Sequence, residues 1–210
     1  MTLLKKNKAV ILCLLVGLFQ QAQASTPLNN ACGFSEAARE LAALIIEDEA
    51  QQRPQIQCHP LLAQAAEDKA RTMADFGMVR HNLGGSPNGR LREIGFPLPH
   101  YYSGLMGNQV EAIAGGYSTP NSVWKAFKHS TAHRQHLLGE LDFYREQQYI
   151  GVGFFKDNSA PHVEYWAVYL TKASSDSDVP AFDYIPQKGV FFIREPEVAI
   201  QVFEDTTTNK

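Results

Sequence analysis

"VEAIAGGYSTPNSVWKAFKHSTAHRQHLL", residues 110–138, puts a strand, a helix start and three histidines into one stretch. Gln109 to Ala114 is short, largely apolar and contains β-branched residues, which suits a strand. It carries one acid, Glu111. Thr119-Pro120 then reads as a helix start, with Thr119 as the cap and Pro120 at the first helical position, and the helix is expected to run to about His129. Beyond it, two readings compete. In one unbroken helix, His129, His133 and His136 would share a face at spacings of four and three, as on a metal-binding helix. The zinc-protease pattern needs a glutamate right after its first histidine, and Ser130 stands there instead. If Ser130 instead caps a new short helix, His129 points elsewhere and His133 falls at N3. The positive end of the helix dipole then favours a neutral imidazole, the form a metal ligand or general base requires. The break is the expected reading.

Upstream, residues 35–51 read as a helix with a stripe of Ala38, Leu41, Ala42 and Ile45. Pro60 opens a second helix carrying Leu62, Ala66, Ala70 and Met73, and Gly77 is its natural stop. Residues 81–107 are rich in turn formers and read as a long loop, with "RLRE" as one helical turn; loops of this length are often functional. Downstream, "QYIGVGFF" and "HVEYWAVYL" are strands joined by a turn at residues 157–161. After Lys172 comes a linker, then two strand-like runs, "GVFFI" and "EVAIQVF", expected to pack as an appended hairpin in residues 173–210. This order of elements predicts an α+β layered fold.

The N-terminus sets the compartment. Lys5, Lys6 and Lys8 precede an apolar run at residues 9–19, and Ala22-Gln23-Ala24 precedes Ser25. This is the pattern of a secretory signal peptide over residues 1–24, cleaved near Ala24, and the run falls short of the ~20 residues a membrane span needs. Secretion or export to a periplasm follows, with residues 25–172 as the domain and no transmembrane segment after cleavage. Without the three leader lysines, 16 Lys and Arg face 22 Asp and Glu, a net charge of −6. No basic stripe appears, which argues against nucleic acid. Cys32 and Cys58 remain after cleavage, and an exported pair of this kind is expected to form a disulfide.

Glu111, flanked by Val110, Ala112, Ile113 and Ala114, cannot be a free surface charge if its segment is a strand. A buried carboxylate must be paired or protonated. Its plain structural role would be an ion pair with Arg80, Arg90 or Arg92, and that of His133 would be to satisfy buried backbone groups. No serine, cysteine or threonine sits in a nucleophile setting, which argues against covalent catalysis.

Four blocks in order, "DKARTMADFGMVRHNLGGSPNGRLREIGF", "VEAIAGGYST", "SVWKAFKHSTAHRQHLL" and "YIGVGFF…EYWAVYL", resemble the CAP superfamily (cysteine-rich secretory proteins, antigen 5 and pathogenesis-related proteins) in its bacterial SCP-domain form. The resemblance covers residues 35–170. It implies a three-layer α-β-α sandwich with a central antiparallel sheet and an open cleft holding two histidines and one or two glutamates. By that match, His81 and His133 are the cleft histidines and metal ligands, and Glu111 is the cleft glutamate supporting them. Zinc or another divalent ion, weakly bound, is the implied cofactor. Val110 and Ala112 stand where the family has Gly and Asn, Phe127 replaces a tryptophan, and no acid lies between Glu111 and Glu140. The second cleft glutamate therefore has no match. The expected function is a monomeric binding module for a cleft ligand (lipid, peptide or glycan); the alternative is a metal-assisted hydrolase of peptide or cell-envelope material.

Overall fold

The computed structural model describes residues 30–104 and 107–174; the expected leader and the strand-like runs of the tail lie outside them. After a 3-10 turn at Asn30–Cys32 come α1 (Glu36–Ile46), β1 (Gln57–Cys58), α2 (Pro60–Phe76), α3 (Pro87–Glu93) and β2 (Glu111–Gly115). Then follow α4 (Pro120–His129), α5 (Thr131–Leu138), α6 (Asp142–Arg145), β3 (Tyr149–Lys156) and β4 (Glu164–Thr171). The class is α+β.

Local chemistry explains the boundaries. The Ser35 side chain accepts from Ala38 N–H, starting α1, and Ala38, Leu41, Ala42 and Ile45 are buried as the stripe predicts. Each buried Leu or Ile contributes about 1.5–3 kcal/mol relative to exposure. α1 stops short of Gln51, because the Asp48 carboxylate draws Ala50 N–H into a turn and Gln51 Nε2 takes the carbonyl of Ile45. Pro60 sits at the start of α2, and Gly77 closes it in the left-handed region (φ 63°). Within the long loop, "RLRE" belongs to a seven-residue helix, α3, because Ser86 caps Gly89 N–H and Pro87 suits the first turn. Thr119 and Ser122 form a reciprocal capping box on α4. The short β1 and α6 carry too little periodicity to be read from sequence.

The strands lie in the order β1-β3-β4-β2. β2, β3 and β4 pair antiparallel, but β1 joins β3 in parallel. The sheet is therefore mixed rather than wholly antiparallel, because the chain crosses from β1 through α2 before returning to β3. β4 is buried along its whole length, as a strand covered on both faces must be. Leu41, Ile45, Val123, Phe127 and Leu137 pack with Val152, Trp166 and Val168 in one apolar cluster. Leu62, Ala66, Ala70, Met73 and Leu91 pack with Ile113, Ala167 and Tyr169 in the other. Cys32 and Cys58 are disulfide-bonded, tying the start of α1 to β1. Among the described residues, no helix is long and apolar enough to cross a membrane.

Candidate functional site

Glu111 starts β2, an edge strand, yet its side chain is fully enclosed while that of His81 is 38% exposed. One carboxylate oxygen accepts from the Tyr169 hydroxyl at 2.5 Å, across the β2–β4 pair, and the other lies 2.8 Å from His81 Nδ1. Burial, reinforced by the charge of Glu111, pushes the Tyr169 hydroxyl well above its ordinary pKa, so it remains the donor. A carboxylate only accepts, so Nδ1 of His81 carries the proton it donates to Glu111. Asn108 fixes the same strand end: its Oδ1 accepts from Glu111 N–H at 2.9 Å and its Nδ2 donates to Glu111 O at 3.0 Å.

The loop bearing His81 is held from beneath by Lys69. This ammonium is buried and donates to the carbonyls of Arg80 at 2.7 Å and His81 at 2.6 Å. Burial lowers its pKa, while the Glu111 carboxylate works in the opposite direction. The arginine pairing weighed for Glu111 is replaced by this arrangement. Arg90 reaches the Leu83 carbonyl and Arg92 that of Tyr102, and among the described residues no arginine forms an ion pair with Glu111.

Opposite stands α5. The chain breaks at Ser130 (φ −86°, ψ 117°), although the Ser130 side chain makes no cap hydrogen bond, and His133 takes the third helical position. His129 turns outward and bonds back to the Lys125 carbonyl at 2.6 Å, so the three-histidine face does not form. His133 packs edge-on to Phe127, with ring centroids 5.0 Å apart. Burial first, then the charge of His81, lowers its pKa, which keeps the imidazole neutral. His136 is buried and its Nε2–H donates to Leu170 O at 2.9 Å. Arg53 fixes the far end of α5 by donating to the carbonyls of His136 at 2.6 Å and Leu137 at 2.9 Å.

These elements enclose a cleft of about 140 Å³ lined by His81, Asn108, Glu111, His133, His136 and Tyr144. A larger trough of about 350 Å³, lined by Ile113, Tyr117, Phe127 and others, shares His133 with it. The structure thus brings His81 and Glu111 into direct contact and puts His133 on the same cleft. Among the described residues, no three His, Cys, Asp or Glu side chains converge on a common metal position. The imidazoles of His81 and His133 are the donor set the cleft offers.

Sequence reasoning missed Lys69, Asn108 and Tyr169. Lys69 had a signal, lying seven residues after Leu62 on the apolar stripe of α2. Asn108, three residues before Glu111, also had one, because Asn side chains often bond nearby backbone. Tyr169 had none, since only the strand register sets it opposite Glu111.

No family model matches the chain, and no curated protein matches it. Among solved structures, an outer surface protein of Borrelia burgdorferi superposes with a TM-score of 0.47 at 20% identity, covering 64% of this chain and 88% of that one. A likeness at that level carries no inference about role.

Proposed function

We propose that this chain is a secreted or periplasmic binding module of the CAP/SCP type, whose cleft between His81 and His133 holds a ligand or a weakly bound divalent cation. One observation carries the reading. Glu111 is enclosed, with both oxygens engaged by Tyr169 and His81, so it orients the imidazole of His81, whose Nε2 has only the long 3.5 Å contact to Asn108 Nδ2 among the described residues. Carboxylate-oriented histidines of this kind are the usual supports of metal and ligand sites. The apolar clusters on the two faces of the sheet support the three-layer reading. The disulfide suits an exported protein.

His81 and His133 would hold the cation, with Glu111 acting through His81. A bound Zn²⁺ would supply a Lewis-acid position for an oxygen of the ligand. Two protein ligands make a weak site, sensitive to chelators and to acid, because protons compete with the metal for the imidazoles. The hydrolase alternative gains no support, since Glu111 has no unengaged oxygen with which to act as a base and, among the described residues, no second acid lines the cleft.

Calorimetric titration of the full mature chain with Zn²⁺ tests this. Binding of micromolar strength or weaker is expected, abolished by His81→Ala with His133→Ala and reduced by Glu111→Gln. Affinity unchanged in the double variant would overturn the assignment. Peptide hydrolysis lost on Glu111→Gln would restore the enzyme reading.

A further inference from the structure

We propose that the free edge of β2 receives an extended polypeptide segment of another protein, which adds to the sheet as a fifth strand. This names the ligand class for the binding-module reading and rests on that reading. The argument begins with the ladder. Among the described residues, β2 is an edge strand paired only with β4. Leu170 N–H donates to Val110 O, and Gly116 N–H donates to Glu164 O. With residue 111 opposite 169 and 115 opposite 165, the backbones of Glu111, Ile113 and Gly115 must therefore face away from β4.

The first of these outward positions is already filled. The Asn108 carboxamide accepts from Glu111 N–H and donates to Glu111 O, the two bonds a neighbouring strand would make. The next two positions are open: among the described residues, the outward N–H and C=O of Ile113 and Gly115 take no hydrogen bond. Ile113 is nevertheless only 6% exposed. Sheltered backbone groups without partners are costly, and alternating donors and acceptors at strand spacing match another extended backbone. They do not match a glycan or a lipid tail.

The trough of about 350 Å³ lies along this edge, within the size range of ligand pockets, about 300–1,000 Å³. Val79, Ala126 and Phe127 give it apolar walls, and among the described residues no acidic side chain lines it. Lined also by His133 and His162, it favours a segment carrying an aliphatic or aromatic residue and no excess of basic charge. Gly115 is part of this design: a Cβ there would lie 2.6 Å from Val79 Cγ2 and 3.1 Å from His162.

The test uses the full mature chain and a displayed library of short linear peptides. Enriched peptides are synthesised with single backbone N-methyl groups and titrated, while amide exchange at Ile113 and Gly115 is followed by NMR. Both amides should exchange freely in the free protein and become protected by peptide. N-methylation at a residue pairing with the edge should weaken binding roughly tenfold or more, and at its neighbour little, because two backbone bonds are at stake. Ala126→Trp, which fills the trough from α4, should abolish peptide binding. Enrichment equal on this variant, or affinity indifferent to N-methylation, would overturn the proposal. So would amide protection that disappears on removing residues 175–210, which would assign the edge to the chain's own tail, or protection that tracks a dimer. Zn²⁺ binding without peptide binding sinks strand addition alone. Peptide binding without Zn²⁺ binding sinks the metal reading alone.

Discussion

His136 fastens the cleft wall to the sheet, and that fastening should fail in acid. The β2–β4 ladder opens at its end: Val110 N–H turns to Asn108 Oδ1, and His136 Nε2–H takes the Leu170 carbonyl. Burial is the main cause lowering the pKa of His136 from 6.5 to about 4, with the hydrogen bond to Leu170 opposing it and the charge of Arg53 adding to it. A folded-state pKa below the unfolded one means the unfolded chain takes the proton first. The contribution to stability is therefore complete above about pH 6.5 and is lost as pH falls from there towards about 4. At about 1.4 kcal/mol per pH unit, that interval corresponds to on the order of 3 kcal/mol. His136→Phe removes the titration but strips Leu170 O of its donor, at a cost of about 1–3 kcal/mol. The variant should thus be less stable than the parent near neutral pH and overtake or equal it near pH 4. Urea unfolding at a series of pH values between these limits measures both curves. His59 and His133, also lowered by burial, leave a shallower slope in each protein, so the difference between the curves isolates His136. Parallel curves for parent and variant would refute the reasoning.

Lys69→Met should destabilise the domain by about 2–4 kcal/mol, since charged hydrogen bonds to the Arg80 and His81 carbonyls vanish while the cost of burying an ammonium is relieved. Zn²⁺ affinity should fall with it, and a variant as stable as the parent with unchanged affinity would contradict the bracing role of Lys69. Tyr169→Phe removes the donor to one oxygen of Glu111 and should cost about 1–3 kcal/mol in urea unfolding. Replacing Cys32 and Cys58 by serine opens a link between positions 26 residues apart and should cost about 3–4 kcal/mol on the chain-entropy estimate, read as a lower thermal midpoint. No change in that midpoint would show that the bridge constrains little.

What could be read from the chain was whatever rests on periodicity and punctuation. The stripes of α1 and α2, the Gly77 stop, the Thr119-Pro120 start and the break at Ser130 are local signals, and each stands where the spacing predicts. The burial of Glu111 was legible for the same reason, from its apolar neighbours. Its partners were not. Tyr169 meets it only through a register fixed by the whole β2–β4 pairing, and Lys69 only because α2 crosses beneath the loop bearing His81. The ion pair with Arg80, Arg90 or Arg92 weighed as the plain role of Glu111 is not made among the described residues: Arg92 reaches backbone carbonyls, and Arg90 reaches the Leu83 carbonyl and interacts with Tyr169.

The placement of His81 depends on how closely α2 lies against β3. A Cβ on Gly151 would fall 2.1 Å from the backbone nitrogen of Ala63, and one on Gly153 would fall 2.1 Å from the carbonyl carbon of Ala66. Only glycine on the strand, facing alanines on the helix, permits that approach. Lys69 follows Ala66 by about one turn on the same buried side, and its ammonium reaches the carbonyls of Arg80 and His81 from that position. A helix lifted by even one methyl layer would withdraw the ammonium from both carbonyls together. His81 would then lose the backbone anchor that sets its ring against Glu111. The geometry at the sheet's edge is thus set by small residues near its middle, none of which touches the cleft.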